Sequence, residues 1–196
     1  MSLVPAFEIG LWNAWILTLY VALHPLIMML IDKLVGTGDI FKKMGDTSAL
    51  NKTENIMNIF GTVLFFGLFA YSIFLPLQLG TAWFYVGLAL CVLGVVTWTI
   101  AIVNIADIPL GKPWTKGLYR YSRNPMHFAS FLILIGAGIA SASWLFLLFS
   151  IVYIILLTIF VTAEERECLE KFGNTYREYM KRTPRWIGIS KIVKSK

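Results

Sequence analysis

Residues 125–163 read PMHFASFLILIGAGIASASWLFLLFSIVYIILLTIFVTA, a run that contains no Asp, Glu, Lys or Arg. A membrane-spanning helix needs roughly 20 residues, which cross a hydrocarbon core about 30 Å thick. The run is too long for one span, and the small residues at 141–143 (SAS) suit a turn. Each half is then about 27 Å long, enough for a thin crossing. The stretch therefore predicts a helical hairpin within a membrane.

The whole sequence has the composition of a membrane protein. Of its 196 residues, 58% are hydrophobic and 14% are charged, whereas about 25% of the residues of soluble domains are charged. We predict an all-α, polytopic integral membrane protein with five transmembrane helices, of which the last two form the hairpin. It is a single membrane domain over 1–196, and its N-terminal part, 1–103, holds three helices. The five apolar runs lie at 11–31, 56–79, 82–105, 125–140 and 142–163.

The cations are distributed unevenly between the loops. With five spans, alternate loops at 32–55, 106–124 and 164–196 carry 4, 4 and 9 Lys or Arg residues, which are all 17 in the sequence. Because loops rich in Lys and Arg stay in the cytoplasm, we expect a cell-membrane protein with its N-terminus outside and its C-terminal segment inside. The net charge of +6 then reflects this orientation and contact with the lipid bilayer, and it does not predict nucleic acid binding.

Two further features carry a weaker signal. Cys91 and Cys168 lie at different predicted depths and show no metal-ligand spacing, so neither a disulfide nor a metal is expected. His24 precedes Pro25 within the first span. An ionisable residue at that depth suggests a functional site. The simpler alternative, which we prefer, is a neutral His that bonds the backbone freed by the proline.

The segment after the hairpin, EERECLEKFGNTYREYMKRTPRW at 164–186, predicts amphipathic helices at the cytoplasmic surface. Gly173 suits a break in the middle of the segment, and Thr183-Pro184 suits its end. The apolar residues that recur at helical spacing are Leu169, Phe172, Tyr176, Tyr179 and Met180.

Polar residues crowd both ends of the hairpin. A hairpin returns the chain to the surface that it left, so residues 123–127 and 164–167 should be neighbours. Pro125 suits the first position of a helix capped by Asn124. The free backbone N–H groups and the positive dipole there would attract an anion, such as the carboxylate of a cofactor.

At these residues the sequence resembles the isoprenylcysteine carboxyl methyltransferase family, and most closely its short prokaryotic, including archaeal, members. The resemblance covers roughly 104–187. It rests on two motifs in order, RNPMH at 123–127 and, after the hairpin, Glu164, Glu165, Leu169, Phe172, Gly173, Tyr176, Tyr179, Pro184 and Arg185.

The resemblance implies an integral membrane enzyme that moves a methyl group from S-adenosylmethionine to a lipophilic or prenylated substrate, leaving S-adenosylhomocysteine. Residues 104–196 would form the cofactor-binding and catalytic part. The sequence has no Gly-rich strand-to-helix turn of the Rossmann type. The implied cofactor contacts are Asn104, Gly111, Lys112, Pro113, Trp114, Gly117, Leu118, Tyr119, Asn124, Pro125, Met126, His127, Glu164 and Glu167.

The acceptor group stays open at this level. For a carboxylate acceptor, Arg120 or Arg123 would orient an anion that needs no deprotonation. For an amine acceptor, as in phospholipid methyltransferases, His127 or Glu165 would be the candidate base. The chain departs from the family motif at Asn124 and His127. It also has Phe160 where eukaryotic members carry an Arg assigned to the substrate.

Two other classes of protein share some of these features. Membrane sterol reductases have a similar Arg-x-Pro element before a hairpin, where they bind a nicotinamide dinucleotide. A small membrane scaffold or lipid-binding protein would explain the spans but not the paired motifs. Methyl transfer is the reading we prefer.

Overall fold

The structure, a computed structural model, describes residues 8–35, 40–43 and 50–188. Within these ranges it is all-α and has no strand, only an isolated bridge between Asn13 and Pro76. The predicted fold class is therefore confirmed. The helices are α1 Trp15–Val35, α2 Ile40–Lys43, α3 Lys52–Ser72, α4 Ala82–Ala106, α5 Pro125–Ala140 and α6 Trp144–Arg182.

Four of the described helices, α1, α3, α4 and α6, are long and apolar enough to cross a membrane. The fifth apolar helix, α5, has 16 residues and is about 24 Å long, short for a span. Large apolar side chains such as those of Val63, Val92 and Ile155 are exposed along the longer helices. An exposed apolar surface of this extent suits contact with lipid.

The predicted hairpin is present and turns at the predicted place. Ala142 adopts a positive φ of 51°. The hydroxyl of Ser143 accepts a hydrogen bond from the backbone N–H of Phe146 and thereby caps α6. Helix α5 has the expected bounds of 125–140, and α6 begins at Trp144, two residues after the expected start at 142.

Helices α4 and α5 pack closely through small residues. A side chain at Gly94 would meet the side chain of Ile133 at 2.6 Å, and one at Gly136 would meet the backbone oxygen of Gly87 at 2.6 Å. Small residues on adjacent membrane helices allow such backbone contact. Because α5 is covered in this way, ten of its residues are buried.

The second predicted span ends earlier than expected. The apolar run continues to residue 79, but α3 stops at Ser72, and Pro76 cannot continue a helix because it lacks a backbone N–H. Leu77 instead donates a backbone hydrogen bond to Trp12. Helix α3 also begins before the apolar run at 56, because Asn51 caps it in a capping box with Glu54.

Helix α6 continues well beyond its apolar run. The expected break occurs at Gly173, whose φ of 55° and ψ of −128° are non-helical, so that two helical parts of α6 meet there at a kink. The helix then ends before Thr183-Pro184, as predicted. Parts of two predicted loops, 36–39 and 44–49 in the first connector and 189–196 at the C-terminus, lie outside the described residues.

The loops gather at the two ends of the molecule. At one end, which we call the turn end, the backbone N–H of Gln78 bonds the carbonyl of Ala140 and joins the 73–81 and 141–143 connections. At the other, which we call the charged end, the amine of Lys43 bonds the last carbonyls of α4, at Ile105 and Ala106. The polar motifs of the sequence lie at the charged end.

Candidate functional site

The start of α5 is joined to α6 by a buried carboxylate. Glu165 is only 3% exposed, and its Oε1 accepts a hydrogen bond from Asn124 Nδ2 at 3.3 Å. Arg123 Nε lies 3.2 Å from the same oxygen. The two groups form an ion pair, but the N–H does not point at the oxygen well enough to form a hydrogen bond. The predicted proximity of 123–127 to 164–167 is confirmed by these contacts.

Arg185 completes this cluster from the far side. Its Nη2 and Nε bond Oε2 of Glu165 at 2.7 and 3.1 Å. Both oxygens of Glu165 are therefore engaged by cationic or amide groups. The carboxylate thereby joins the start of α5, helix α6 and the segment that follows it.

Asn124 occupies the predicted cap position of α5, with Pro125 at the first turn, but its side chain makes no capping bond. Its amide bonds Glu165 and the backbone carbonyl of Arg185 instead. The N-terminal N–H groups of α5 therefore receive nothing from the residue expected to cap them.

The segment 183–188 lies against the loop before α5. Arg123 donates its backbone N–H to Pro184, and Gly188 donates to Tyr121. The hydroxyl of Ser122 bonds the carbonyl of Arg185. Pro184 and Arg185 were noted as part of a motif, but the contact of Arg185 with Glu165 was not predicted.

His127 and Glu164 form a second polar pair. Their Nε2 and Oε2 atoms are 3.8 Å apart, and both side chains are about a quarter to a third exposed. The ring of Phe160 lies 6.3 Å from the ring of His127. The pair is more open than the Glu165 cluster, so a small molecule can reach it.

The loop between α4 and α5 is fixed at Tyr119. This residue is 2% exposed, its carbonyl accepts a 2.6 Å hydrogen bond from the hydroxyl of Tyr179, and its ring meets Trp114 edge-on. Burial raises the pKa of Tyr119 well above its usual value, and the nearby Tyr179 and Glu164 raise it further. The phenol therefore stays neutral and available for hydrogen bonding.

Asn104 supports the same loop from α4. Its Oδ1 accepts the backbone N–H of Leu118 at 2.9 Å, and a side chain at Gly117 would collide with it. The positive φ of 59° at Gly117 also favours glycine. Asn104, Gly117 and Leu118 thus shape the loop from behind.

A cavity of about 590 Å³ extends from the charged end into the region between the helices. Of the candidate catalytic residues, Arg123, His127 and Glu165 line it, whereas Arg120 is exposed to solvent and does not. Asn104, Gly117, Leu118 and Pro125 lie outside its wall. The predicted cofactor residues that line the cavity are Gly111, Lys112, Pro113, Trp114, Tyr119, Asn124, Met126, His127, Glu164 and Glu167.

The deeper wall comes from residues that the sequence did not single out. Helix α3 contributes an aromatic and aliphatic face from Met57 to Phe66, and α6 contributes Tyr153 and Leu156. Such residues cannot be distinguished by sequence from others that face lipid. In the part of the chain that the structure describes, no group of three or more His, Cys, Asp or Glu side chains is placed to hold a metal ion.

The fold and the cavity define a class of protein, an all-helical membrane protein in which a polar site opens into an apolar cavity. Residues 77–175, half of the chain, match the family model described as phospholipid methyltransferase. The chain belongs to the phospholipid methyltransferase family, which makes it a membrane methyltransferase. No curated protein matches it.

Proposed function

We propose that the chain is an S-adenosylmethionine-dependent methyltransferase that acts on a lipophilic acceptor. The observation that supports this most directly is the cavity, because one continuous space joins polar residues such as Glu164 and His127 to apolar residues such as Phe65 and Leu156. A methyl donor and a lipid have these two kinds of surface. Both would enter the same space from different directions.

The residues at the charged end fit the donor. Trp114 and Tyr119 offer aromatic surface, and Glu164 offers a carboxylate that can accept ribose hydroxyls. Carboxylates also suit a ligand that carries a positive sulfonium. When bound, the donor would supply the methyl group. The chain would orient it through Glu164, the loop at 111–114, and residues 124–127.

The acceptor belongs to one of two classes. The resemblance to isoprenylcysteine carboxyl methyltransferases suggests a prenylated carboxylate, and the family match suggests a phospholipid amine. Phe160 lines the cavity beside His127, so no cation stands there to hold a carboxylate. This observation favours the amine. The match gives no support to a sterol reductase.

Binding of S-adenosylhomocysteine to the full chain in lipid nanodiscs tests the proposal. We expect wild-type protein to bind it and to transfer a labelled methyl group into the lipid fraction. Glu164→Ala should weaken binding roughly 10- to 150-fold, since a hydrogen bond to a charged group contributes about 1.5–3 kcal/mol.

Glu178→Ala is the matched control, because Glu178 lies beyond Gly173, pairs with Lys181 at the surface and does not line the cavity. It should leave the dissociation constant unchanged. A folded Glu164→Ala protein with wild-type affinity would remove Glu164 from the cofactor site. Tight binding of a nicotinamide dinucleotide in place of S-adenosylhomocysteine would overturn the proposed function.

A further inference from the structure

His24 on α1 lines the cavity opposite the hairpin. Its Nδ1 lies 2.8 Å from the carbonyl oxygen of Val21, the oxygen that would have bonded residue 25 in a regular helix. Pro25 has no N–H to offer, so the imidazole replaces the missing bond, as the simpler reading of the sequence expected. That reading accounts for only one of the two ring nitrogens.

The other nitrogen is an acceptor without a partner. A carbonyl oxygen only accepts, so Nδ1 must carry the proton, and Nε2 of the neutral ring then presents a lone pair. Nε2 makes no hydrogen bond to any residue that the structure describes. His24, which lines the cavity, therefore carries an unused hydrogen-bond acceptor.

Trp98 on α4 supplies the complementary donor. Its ring lies 5.4 Å from that of His24 and lines the same cavity. The residue is 6% exposed, and its indole N–H is buried without a hydrogen-bond partner in the described ranges. A buried polar group usually has a partner, because leaving one unpaired is costly.

The packing of α4 on α5 shows how deep this pair lies. A side chain at Gly87 would meet Ala140, and one at Gly94 would meet Ala129 and Ile133. The two helices are therefore antiparallel: the stretch from Gly87 to Gly94 on α4 lies beside the stretch from Ala140 back to Ile133 on α5. Trp98, four residues further, lies level with 125–129, and it shares a buried cluster with Met126 and Ala129. The pair is therefore at the depth of His127.

We propose that His24 and Trp98 form the subsite for the polar group of the acceptor, and that this group both donates and accepts a hydrogen bond, as a hydroxyl or a neutral amine does. The inference rests on the proposed function, because it takes the cavity to be the acceptor site. The N–H of Trp98 would donate to the group, and Nε2 of His24 would accept from it.

A carboxylate fits this subsite poorly. Its oxygens only accept, so one of them would face the lone pair of His24 without a proton between them. A hydrocarbon tail would leave both polar groups unpaired. The chemistry of the subsite thus selects among the acceptors that the rest of the cavity would admit.

Binding of three dodecyl probes to the full chain, saturated with S-adenosylhomocysteine in nanodiscs, tests the proposal. Dodecanol both donates and accepts, as the proposed class requires, whereas dodecylamine is an ammonium at neutral pH that only donates and dodecanoate only accepts. We expect the alcohol to bind at least threefold more tightly than either charged probe. Trp98→Phe, which keeps a ring but loses the N–H, should weaken the binding of dodecanol about three- to tenfold.

Two variants control the test. Trp83→Phe alters an exposed tryptophan on the same helix, away from the cavity, and should have no effect. His24→Gln keeps an acceptor and should retain the preference for dodecanol over dodecanoate, whereas His24→Leu should lose it. The His24 pair therefore still tests the subsite if Trp98→Phe does not fold. An equal affinity for all probes, as expected if a water molecule bridges the pair, or a preference for either charged probe would overturn the subsite. If wild-type protein did not bind S-adenosylhomocysteine, that result would instead contradict the proposed function.

Discussion

The two acidic residues that end the hairpin have different surroundings, although they are adjacent in sequence. Successive residues of an α-helix point about 100° apart, so Glu164 and Glu165 cannot share one environment. Glu165 lies between Arg123 and Arg185, and Glu164 pairs with His127 beside the cavity. The sequence predicted that an acidic pair would meet the start of α5. It could not predict which carboxylate would be buried, because that depends on the rotation of α6.

Replacing Glu165 by Gln should destabilise the fold. The amide would leave the positive charges of Arg123 and Arg185 near a neutral group. Removing one member of a buried ion pair costs about 3–5 kcal/mol, and the lower value applies because Arg185 is a third exposed. We expect a loss of about 3 kcal/mol in the free energy of unfolding, measured by titration with sodium dodecyl sulfate.

Glu178→Gln serves as the control for this measurement, since its ion pair with Lys181 is at the surface and should contribute nothing measurable. If the two variants unfolded at the same denaturant concentration, the Glu165 cluster would have no stabilising role.

At the scale of helices, the sequence predicted what depends on local pattern. The turn at 141–143 follows from the length of the apolar run and from its small residues. The end of α3 was predicted wrongly because hydropathy continues past Pro76, while the backbone leaves the helix at Ser72. The cavity face of α3 was not predicted, because Phe65 has the same sequence signature as a residue that faces lipid.

Gly87→Ala should separate α4 from α5. The new methyl group would collide with the backbone oxygen of Gly136 and lie 2.5 Å from the backbone nitrogen of Ala140, and a backbone cannot move aside as a side chain does. Overpacking of this kind costs about 1–3 kcal/mol. The measurement is again the free energy of unfolding.

Gly67→Ala provides the comparison, because a side chain at Gly67 would meet no atom within 4 Å. Alanine is the better helix former by about 0.8–1.0 kcal/mol, so this variant should be at least as stable as wild type. A neutral Gly87→Ala would show that the two helices can move apart without cost.

At the scale of the whole molecule, the site draws on both halves of the chain. The motifs lie in the C-terminal half, and the resemblance placed the whole site within 104–196. The structure adds walls from α1 and α3, including His24 and Phe65. Sequence motifs indicate groups that act locally, such as the loop at 111–114. They give no information on which generic spanning helices will enclose the space beside those groups.

The orientation in the membrane is the last prediction, and it rests on how charge is distributed between the two ends. The turn end has no Lys or Arg at 8–14, 73–81 or 141–143, and the hydrogen bond between Gln78 and Ala140 joins two of its segments. All 17 cations lie in the other loops and the C-terminal segment. Cation-rich ends remain in the cytoplasm, so we expect the turn end to lie outside the cell. In a background lacking Cys91 and Cys168, Gln78→Cys should then react with an impermeant maleimide added to intact cells. Lys181→Cys should react only after the cells are lysed. Both sites are exposed, unlike the buried Ser141, so failure to react reports location. Labelling of position 181 in intact cells would reverse the orientation and place the site outside.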